Sequence, residues 1–221
     1  DTKTFVPGDS KLAGSFGFSE YVNNPYGEAR GLEFVITRNR GEWVTGEFSY
    51  TYMVAEGVSG SSSDGFYVAQ YGLPPGQRVY PLSWDQRHTV KGTLVLTPVP
   101  GVTVTSILEW HSGRPYTHYP TSTGFETING GLFVQNNERM PQYTNVDLRA
   151  EHVFRPSWWS ESAMTLYLDC RNVLNEHNVA WMDSNGRIGG ELGDPSGYHF
   201  GRRTSLGLKV EFCYERPGIP S

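Results

Sequence analysis

The chain has 221 residues, of which 37% are apolar, 14% are aromatic and 26 are glycine. Its net charge of −5 and the lack of a Lys/Arg cluster argue against a nucleic-acid partner, because phosphate binding needs a basic stripe. No run of about 18 apolar residues is present, so no transmembrane helix is predicted. The high glycine content predicts many turns and few helices.

Seven segments alternate apolar and polar residues with a period of two, which is typical of a β-strand because successive side chains leave opposite faces. The predicted strands are 31–38, 43–54, 87–97, 102–111, 143–154, 163–171 and 203–212. In the last of them, RTSLGLKVEF, Leu206 and Leu208 alternate with Gly207 and Lys209. A weaker pattern at 11–22 indicates a further strand.

The connections between these strands alternate between short and long. Short turns follow the first, third and fifth strands, whereas long polar segments follow the second, fourth and sixth, at 55–86, 112–142 and 175–201. Loops longer than about 15 residues are uncommon in compact domains. Three of them at one end of an up-and-down meander are typical of outer-membrane barrels, which have short periplasmic turns and long external loops.

A soluble β-sandwich or barrel also alternates, because one face of its sheet is solvated. Two features favour lipid as the neighbour of the apolar face. The strands run to about 10–12 residues, against a usual 5–6. Aromatic residues collect at strand ends, as in the interfacial girdles of membrane barrels: Trp43, Tyr52, Trp84, Trp110, Tyr143, Phe154, Trp158, Trp159 and Phe212.

Seven stretches, in this order, resemble the C-terminal part of a TonB-dependent outer-membrane receptor. They are NPYGEARGLEF (24–34), GEFSYTYMVAEG (46–57), YPLSWDQRHTVKG (80–92), EWHSGRPYT (109–117), RMPQYTNVDLRAEHVF (139–154), LYLDCRNVLNEHNV (166–179) and GRRTSLGLKVEF (201–212). One departure lies within them: Ser83 stands where the family pattern has Asp. The family stops at the terminal aromatic, whereas here a tail, 213–221, follows Phe212.

The resemblance implies an all-β chain, a transmembrane antiparallel up-and-down β-barrel, with 1–212 as the C-terminal segment of a 22-stranded barrel. Such receptors take up ligands across the outer membrane of Gram-negative bacteria, and their plug domain contacts the TonB complex. Neither plug nor TonB box is recognisable in this chain. The implied partners are outer-membrane lipid and other chains that complete the barrel or an extracellular lipoprotein.

Two alternatives stay open. Residues 11–22 would add the eighth strand of a small autonomous barrel with a structural or adhesion role. The chain would otherwise be one part of a split, multi-chain barrel.

Twelve charged residues fall on the polar set of the strands, and we expect them to line the lumen or contact a plug. They are Glu33, Glu47, Lys91, Glu109, Asp147, Arg149, Glu151, Asp169, Arg171, Arg203, Lys209 and Glu211. A solvated charged wall is the simpler interpretation of the same pattern.

Signals for catalysis, metals and cofactors are poor, so we predict no enzyme and no cofactor. The histidines are scattered, and His111 and Ser112, as adjacent strand residues, face opposite ways. No HExxH or EF-hand spacing occurs. The segment DSNGRIGGELGDPSG (183–197) is interpreted as an external loop. Cys170 and Cys213 allow a disulfide but say little about compartment.

The long loops are the better candidates for ligand binding, because binding residues concentrate on loops held by a rigid scaffold. Aromatic and histidine side chains there could stack on a ligand or pack the loops together. The candidates are Tyr67, Tyr71, Tyr116, His118, Tyr119, Trp181 and Tyr198, with Tyr80 and Phe125 in the same loops.

Overall fold

A computed structural model describes residues 3–7, 19–23, 26–58, 79–118, 135–157 and 162–212. The strands are β1 (Lys3–Pro7), β2 (Ser19–Asn23), β3 (Gly27–Arg38), β4 (Val44–Gly57), β5 (Tyr80–Pro81), β6 (His88–Val99), β7 (Val102–His111), β8 (Pro115–Tyr116), β9 (Glu138–Arg139), β10 (Tyr143–Phe154), β11 (Ser162–Arg171) and β12 (Arg203–Phe212). Over these ranges, no helix has the length and apolar character needed to cross a membrane.

The long strands form one antiparallel sheet in the order β12-β11-β10-β7-β6-β4-β3, with β5 added to the end of β4. Each long strand therefore pairs with its neighbours along the chain, which confirms the predicted all-β, up-and-down meander. The predicted strand over 11–22 does not join this sheet, because β2 pairs with β1 in a separate two-stranded sheet. Residues 8–18 lie outside the described ranges.

The sheet is open in the part of the chain that the structure describes. β3 and β12 are its outer strands, and no described strand pairs with their free edges. Both strands run from the end of the sheet that carries the long loops (the loop end) to the end that carries the short turns (the turn end). The expected closed barrel is therefore not formed by these strands alone.

The register gives the sheet two chemically different faces, because residues directly opposite in neighbouring strands share a face. Lys91 lies opposite Glu109, and Arg149 lies opposite Asp169. When these cross-strand pairs are followed through the whole sheet, all twelve charged residues that were predicted to line the lumen lie on one face, here called the polar face. Whether this face lines a lumen stays a prediction.

The other face, here called the apolar face, carries large hydrophobic side chains that nothing in the described chain covers. Leu32 is 78% exposed, Phe34 56%, Leu206 71% and Leu208 57%. In an ordinary domain such a face packs against a second layer. Here the described sheet is a single layer.

Two connections at the turn end, β3 to β4 and β6 to β7, are described in full, and both are short, as the sequence predicted. β6 and β7 are joined by Pro100 and Gly101, with Val99 paired to Val102. Gly101 has a φ of +82°, which suits the third position of a type II turn after proline. The Val153 amide donates to the Gly101 carbonyl at 2.7 Å, which links this turn to the end of β10.

Apart from Ser162 at the start of β11, the buried side chains that the structure describes gather at the opposite, loop end. The buried apolar residues are Val54, Ala55, Tyr80 and Leu82, and Asp85 beside them is fully buried. They belong to the end of β4, to β5 and to the turn that leads into β6. The well-packed part of the molecule is therefore the base of the long loops.

Candidate functional site at the loop end of the sheet

Asp85 is the centre of a buried hydrogen-bond network, here called the Asp85 hub. The Leu82 amide donates to the Ala55 carbonyl at 2.9 Å, and the Asp85 amide donates to the Leu82 carbonyl at 2.8 Å, which folds the segment back over β4. The Asp85 Oδ1 then accepts from the Ala55 amide at 2.8 Å. Its Oδ2 accepts from Arg87 Nε at 2.8 Å and from Arg139 Nη2.

Arg139 connects the hub to the second long loop. Its Nη1 donates to the carbonyls of Asp85, at 2.8 Å, and of Gly113, at 3.1 Å. Arg87 also reaches Glu56, with Nη2 3.5 Å from Oε1. Burial lowers the pKa of Arg87, but the hydrogen bonds with Asp85 and Tyr52 and the charges of Asp85 and Glu56 together outweigh it, so the pKa is raised overall. The hub thus fixes the first and second loops to the end of β4 through charge-assisted hydrogen bonds.

Asparagine side chains fasten the second loop at its base. β8 pairs with β9, which brings the two ends of the loop together. Asn137 Oδ1 accepts from the His118 amide at 2.8 Å, and its Nδ2 donates to the His118 carbonyl at 3.1 Å. Asn136 donates to the Pro81 carbonyl at 2.7 Å, which attaches the second loop to the first.

The third loop is anchored in the same manner where β11 ends. Asn172, which is buried, donates to the carbonyls of Glu176, at 2.9 Å, and Phe200, at 3.2 Å. Asn178 forms a two-way amide pair with the backbone of Thr144, at 2.8 and 2.6 Å. Asn172 and Asn175 adopt positive φ, 51° and 56°, which asparagine tolerates better than most residues. The loop is therefore held to β10 and to the start of β12.

The tip of the third loop, 183–197, is compact. Asp183 Oδ1 accepts from the amides of Asn185, at 2.9 Å, and Arg187, at 2.8 Å. Asp194 caps a single 3-10 turn, Pro195–Gly197, by accepting from the Ser196 amide at 2.8 Å. The glycine-rich sequence interpreted as a loop is a loop with a defined internal structure.

Two of the predicted ligand-binding residues, Tyr116 and His118, lie together. Their rings are edge to face with centroids 6.3 Å apart. Both border Gly186 of the third loop, where an added Cβ would lie 3.3 Å from Tyr116 Oη and from His118 Nδ1. Burial, and then the charges of Glu138 and Asp183, raise the pKa of Tyr116. His118 Nδ1 is buried and has no hydrogen-bond partner among the described residues.

Two further predicted ligand-binding residues, Trp181 and Tyr198, are not brought to this point. Trp181 Nε1 donates to Ser196 Oγ at 3.2 Å, and the Tyr198 ring meets that of His177 edge to face at 6.2 Å. Both therefore pack within the third loop. Three candidates, Tyr67, Tyr71 and Tyr119, lie outside the described residues, as does Phe125.

Charged residues of the polar face form ion pairs within β10, β11 and β12, and one pair joins β10 to β11. Arg149 contacts Glu151 and lies 3.6 Å from Asp169, which also lies 3.9 Å from Arg171. Lys209 contacts Glu211. These side chains are largely exposed, so each pair is worth at most about 1 kcal/mol.

Within the described part of the loop end, the histidines do not assemble a nucleophile and its base. The His111 ring stacks on Tyr143 at 4.8 Å, and its Nδ1 lies 3.1 Å from the Gln86 amide nitrogen and from the Ser112 carbonyl. The Ser112 hydroxyl instead accepts from the His88 amide at 3.1 Å. Across the described ranges, no group of three His, Cys, Asp or Glu side chains is placed to hold a metal ion.

The residues that organise the loop end were not identified as site residues from the sequence. Asp85 and Arg139 are 54 positions apart, and no local pattern indicates that they meet. Asn172 and Asn178 lie within one quoted motif, and Asp85 within another, PLSWDQRH. A dense run of Asp, Asn and Arg directly at a strand end was the available signal.

No protein-family model, curated protein or solved structure matches this chain. The likeness to TonB-dependent receptors therefore depends on the quoted motifs alone.

Replacing Asn172 by alanine is expected to loosen the third loop. The variant loses the side-chain bonds to Glu176 and Phe200 and strains a backbone with positive φ, which together cost about 2–3 kcal/mol. Limited trypsin digestion should then cut at Arg187 faster than in the wild type. Asn185→Ala is the control, because the Asp183 bond at that position uses only the backbone amide. Equal cutting rates in both variants would contradict the anchoring role of Asn172.

Proposed function

We propose that this sheet is part of the wall of an outer-membrane β-barrel of the TonB-dependent receptor type, which passes a ligand across the membrane without bond chemistry. The observation that carries the proposal is the single-layer sheet, with an exposed apolar face opposite a face of charged residues. A barrel wall has lipid on one side and water or a plug on the other. No second protein layer is then needed.

The apolar face of β3 is bounded by a cation at each end. This face carries Leu32, Phe34 and Ile36 between Arg30 and Arg38. The two arginines are eight residues apart, which is about 26 Å along a strand that rises about 3.3 Å per residue. At the 35–45° tilt of barrel strands this length covers about 18–21 Å of height, against an apolar band about 25 Å tall. The long arginine side chains can span the difference and place their charges at the two headgroup regions.

Amphipathic aromatic side chains lie at the loop end of the same face. Tyr50 Oη lies 2.9 Å from His88 Nδ1, and the Tyr52 ring lies 5.3 Å from that of His88. Trp110 Nε1 donates to Gln142 at 3.4 Å. Tyrosine and tryptophan rings suit a membrane–water interface, because the apolar part of the ring contacts lipid while its polar atom contacts water.

The direction of the two outer strands limits how the barrel closes. β3 and β12 both run from the loop end to the turn end, so pairing them directly would make a parallel contact. An all-antiparallel barrel with these seven strands needs an odd number of additional strands, and a 22-stranded barrel needs 15. The β1–β2 pair has two strands and does not meet this requirement by itself.

The loop end supplies the surface on which a ligand would first bind. The Asp85 hub and the asparagine anchors hold the bases of three loops, and binding residues concentrate on loops held by a rigid scaffold. Tyr116, His118 and Asp183 at the junction of the second and third loops offer two rings for stacking and a carboxylate. They suit a polar ligand with an apolar ring or face.

The open edges favour one further candidate, a barrel whose remaining strands come from another chain. Long unpaired edges promote aggregation, so additional strands are expected on both sides.

The proposal is tested on the particle extracted from membranes in mild detergent. Native mass spectrometry gives its composition, and electron microscopy gives the number of its strands. The proposal predicts an odd number of added strands and a plug, on this polypeptide or another. A particle closed without added strands, or one free of lipid and detergent, would contradict it.

A further inference from the structure

The apolar face is interrupted by a groove near the turn end. The groove has a volume of about 460 Å³, and small residues of three adjacent strands form its floor: Gly46 of β4, Gly92 of β6 and Ser106 of β7. Phe48, Leu94 and Leu108 form its walls. The register explains the shape, because Leu94 lies between Gly46 and Ser106, and Gly92 lies between Phe48 and Leu108.

A cation stands at the end of this groove. Arg38 lines it, on the same face as Ile36, and packs over Gly41, where an added Cβ would lie 3.2 Å from Arg38 Nε. Among the described residues Arg38 has no acidic side chain within ion-pair distance, whereas Arg30 at the other end of β3 is paired with Glu28 and Glu56. The nearby carboxylate of Glu47 belongs to the polar face and accepts from Thr37 there. Arg38 is therefore available to an anion on the apolar face.

We propose that this groove binds one membrane phospholipid, with an acyl chain over Gly46 and Gly92 and the phosphate at Arg38. This inference rests on the proposed membrane location of the sheet. Guanidinium groups bind phosphate through two parallel hydrogen bonds, and each buried methylene of an acyl chain adds hydrophobic stabilisation. The position of Arg38 at the turn end assigns the lipid to the leaflet on the side of the short turns.

The test uses delipidated full-length protein in detergent micelles, with phosphatidylglycerol as the probe and native mass spectrometry as the readout. Wild type should retain one lipid. In Gly92→Leu the amount of retained lipid should fall at least tenfold, because the leucine side chain fills the groove. It can do so without strain, since a Cβ at Gly92 meets only ordinary contacts, the nearest 3.7 Å away at Leu108. Arg38→Gln should weaken phosphatidylglycerol about tenfold and leave uncharged diacylglycerol unchanged.

Two variants serve as controls. Arg30→Gln removes an ion-paired cation at the other end of β3, and Arg40→Gln removes a cation of the following turn that does not line the groove. Equal retention in wild type, Gly92→Leu and Arg38→Gln would overturn the lipid site, as would equal losses in the controls. A strand of the remaining barrel found in the groove would also overturn it. Partition of all variants into vesicles is measured in parallel. If the wild type does not partition into vesicles, the proposed membrane location of the sheet is refuted. If it partitions but retains no lipid, only the proposed lipid site in the groove is refuted.

Discussion

Asp85→Ala is expected to lower the free energy of unfolding by about 3 kcal/mol. Removing the carboxylate leaves Arg87 and Arg139 without their shared partner and leaves the Ala55 amide unsatisfied in a buried position. Breaking a buried charge pair from one side costs about 3–5 kcal/mol. The two arginines are about one-third exposed and can reach water, so the expected cost lies at the lower end of that range.

Urea unfolding in detergent micelles, followed by tryptophan fluorescence, measures this cost. Asp85→Asn should fall between wild type and Asp85→Ala, because an amide oxygen still accepts from Ala55 while the charge is lost. Glu211→Ala is the control: it removes an exposed pair with Lys209 and should change stability by less than about 1 kcal/mol. If Asp85→Ala is no more destabilising than Glu211→Ala, the hub does not hold the loop bases together.

Leu166→Arg is expected to cost about 2–4 kcal/mol of folding free energy in phospholipid vesicles. Leu166 is 44% exposed in the middle of β11, between Leu208 and His152 of the neighbouring strands. A cation near the bilayer midplane on the lipid face of a barrel has a cost of this size. In water the same exposed position would tolerate arginine with almost no penalty.

Thr165→Arg is the matched control, because the adjacent residue lies at the same depth on the opposite face. Its cross-strand neighbour Lys209 carries a like charge, whose repulsion adds a cost of up to about 1 kcal/mol. Folding into vesicles, followed by the band shift between folded and heat-unfolded protein, gives both values. Similar small costs at the two positions would mean that the apolar face does not contact lipid.

The strands could be predicted from sequence because their alternation is nearly unbroken. β7, β10 and β12 begin and end where the pattern does. β3 begins at Gly27, four residues before the predicted start, because Glu28 and Arg30 break the alternation while their backbones still pair with β4. Backbone pairing, which every residue type except proline satisfies, extends a strand beyond the side-chain pattern that reveals it.

The site could be predicted only in part, because its contacts join segments far apart in sequence. Tyr116 and His118 were predicted individually, but their meeting with Gly186 depends on how two loops are anchored. The Asp85 hub depends on a 54-residue separation, which no local pattern encodes. The open edges of the sheet also cannot be derived from alternation, since a strand pattern is the same at an edge and at the centre.

The claim that the apolar face contacts lipid is tested most directly by the accessibility of spin labels placed on the two faces of the sheet. Single cysteines replace Leu166 and Thr165 in a chain whose Cys170 and Cys213 are changed to serine, and the protein is studied in its membrane-inserted form. A lipid-facing label collides with dissolved oxygen and is shielded from a water-soluble nickel chelate, and a water-facing label behaves in the opposite way. We predict the first result at 166 and the second at 165. Nickel accessibility at 166 equal to that at 165 would contradict a membrane-embedded apolar face.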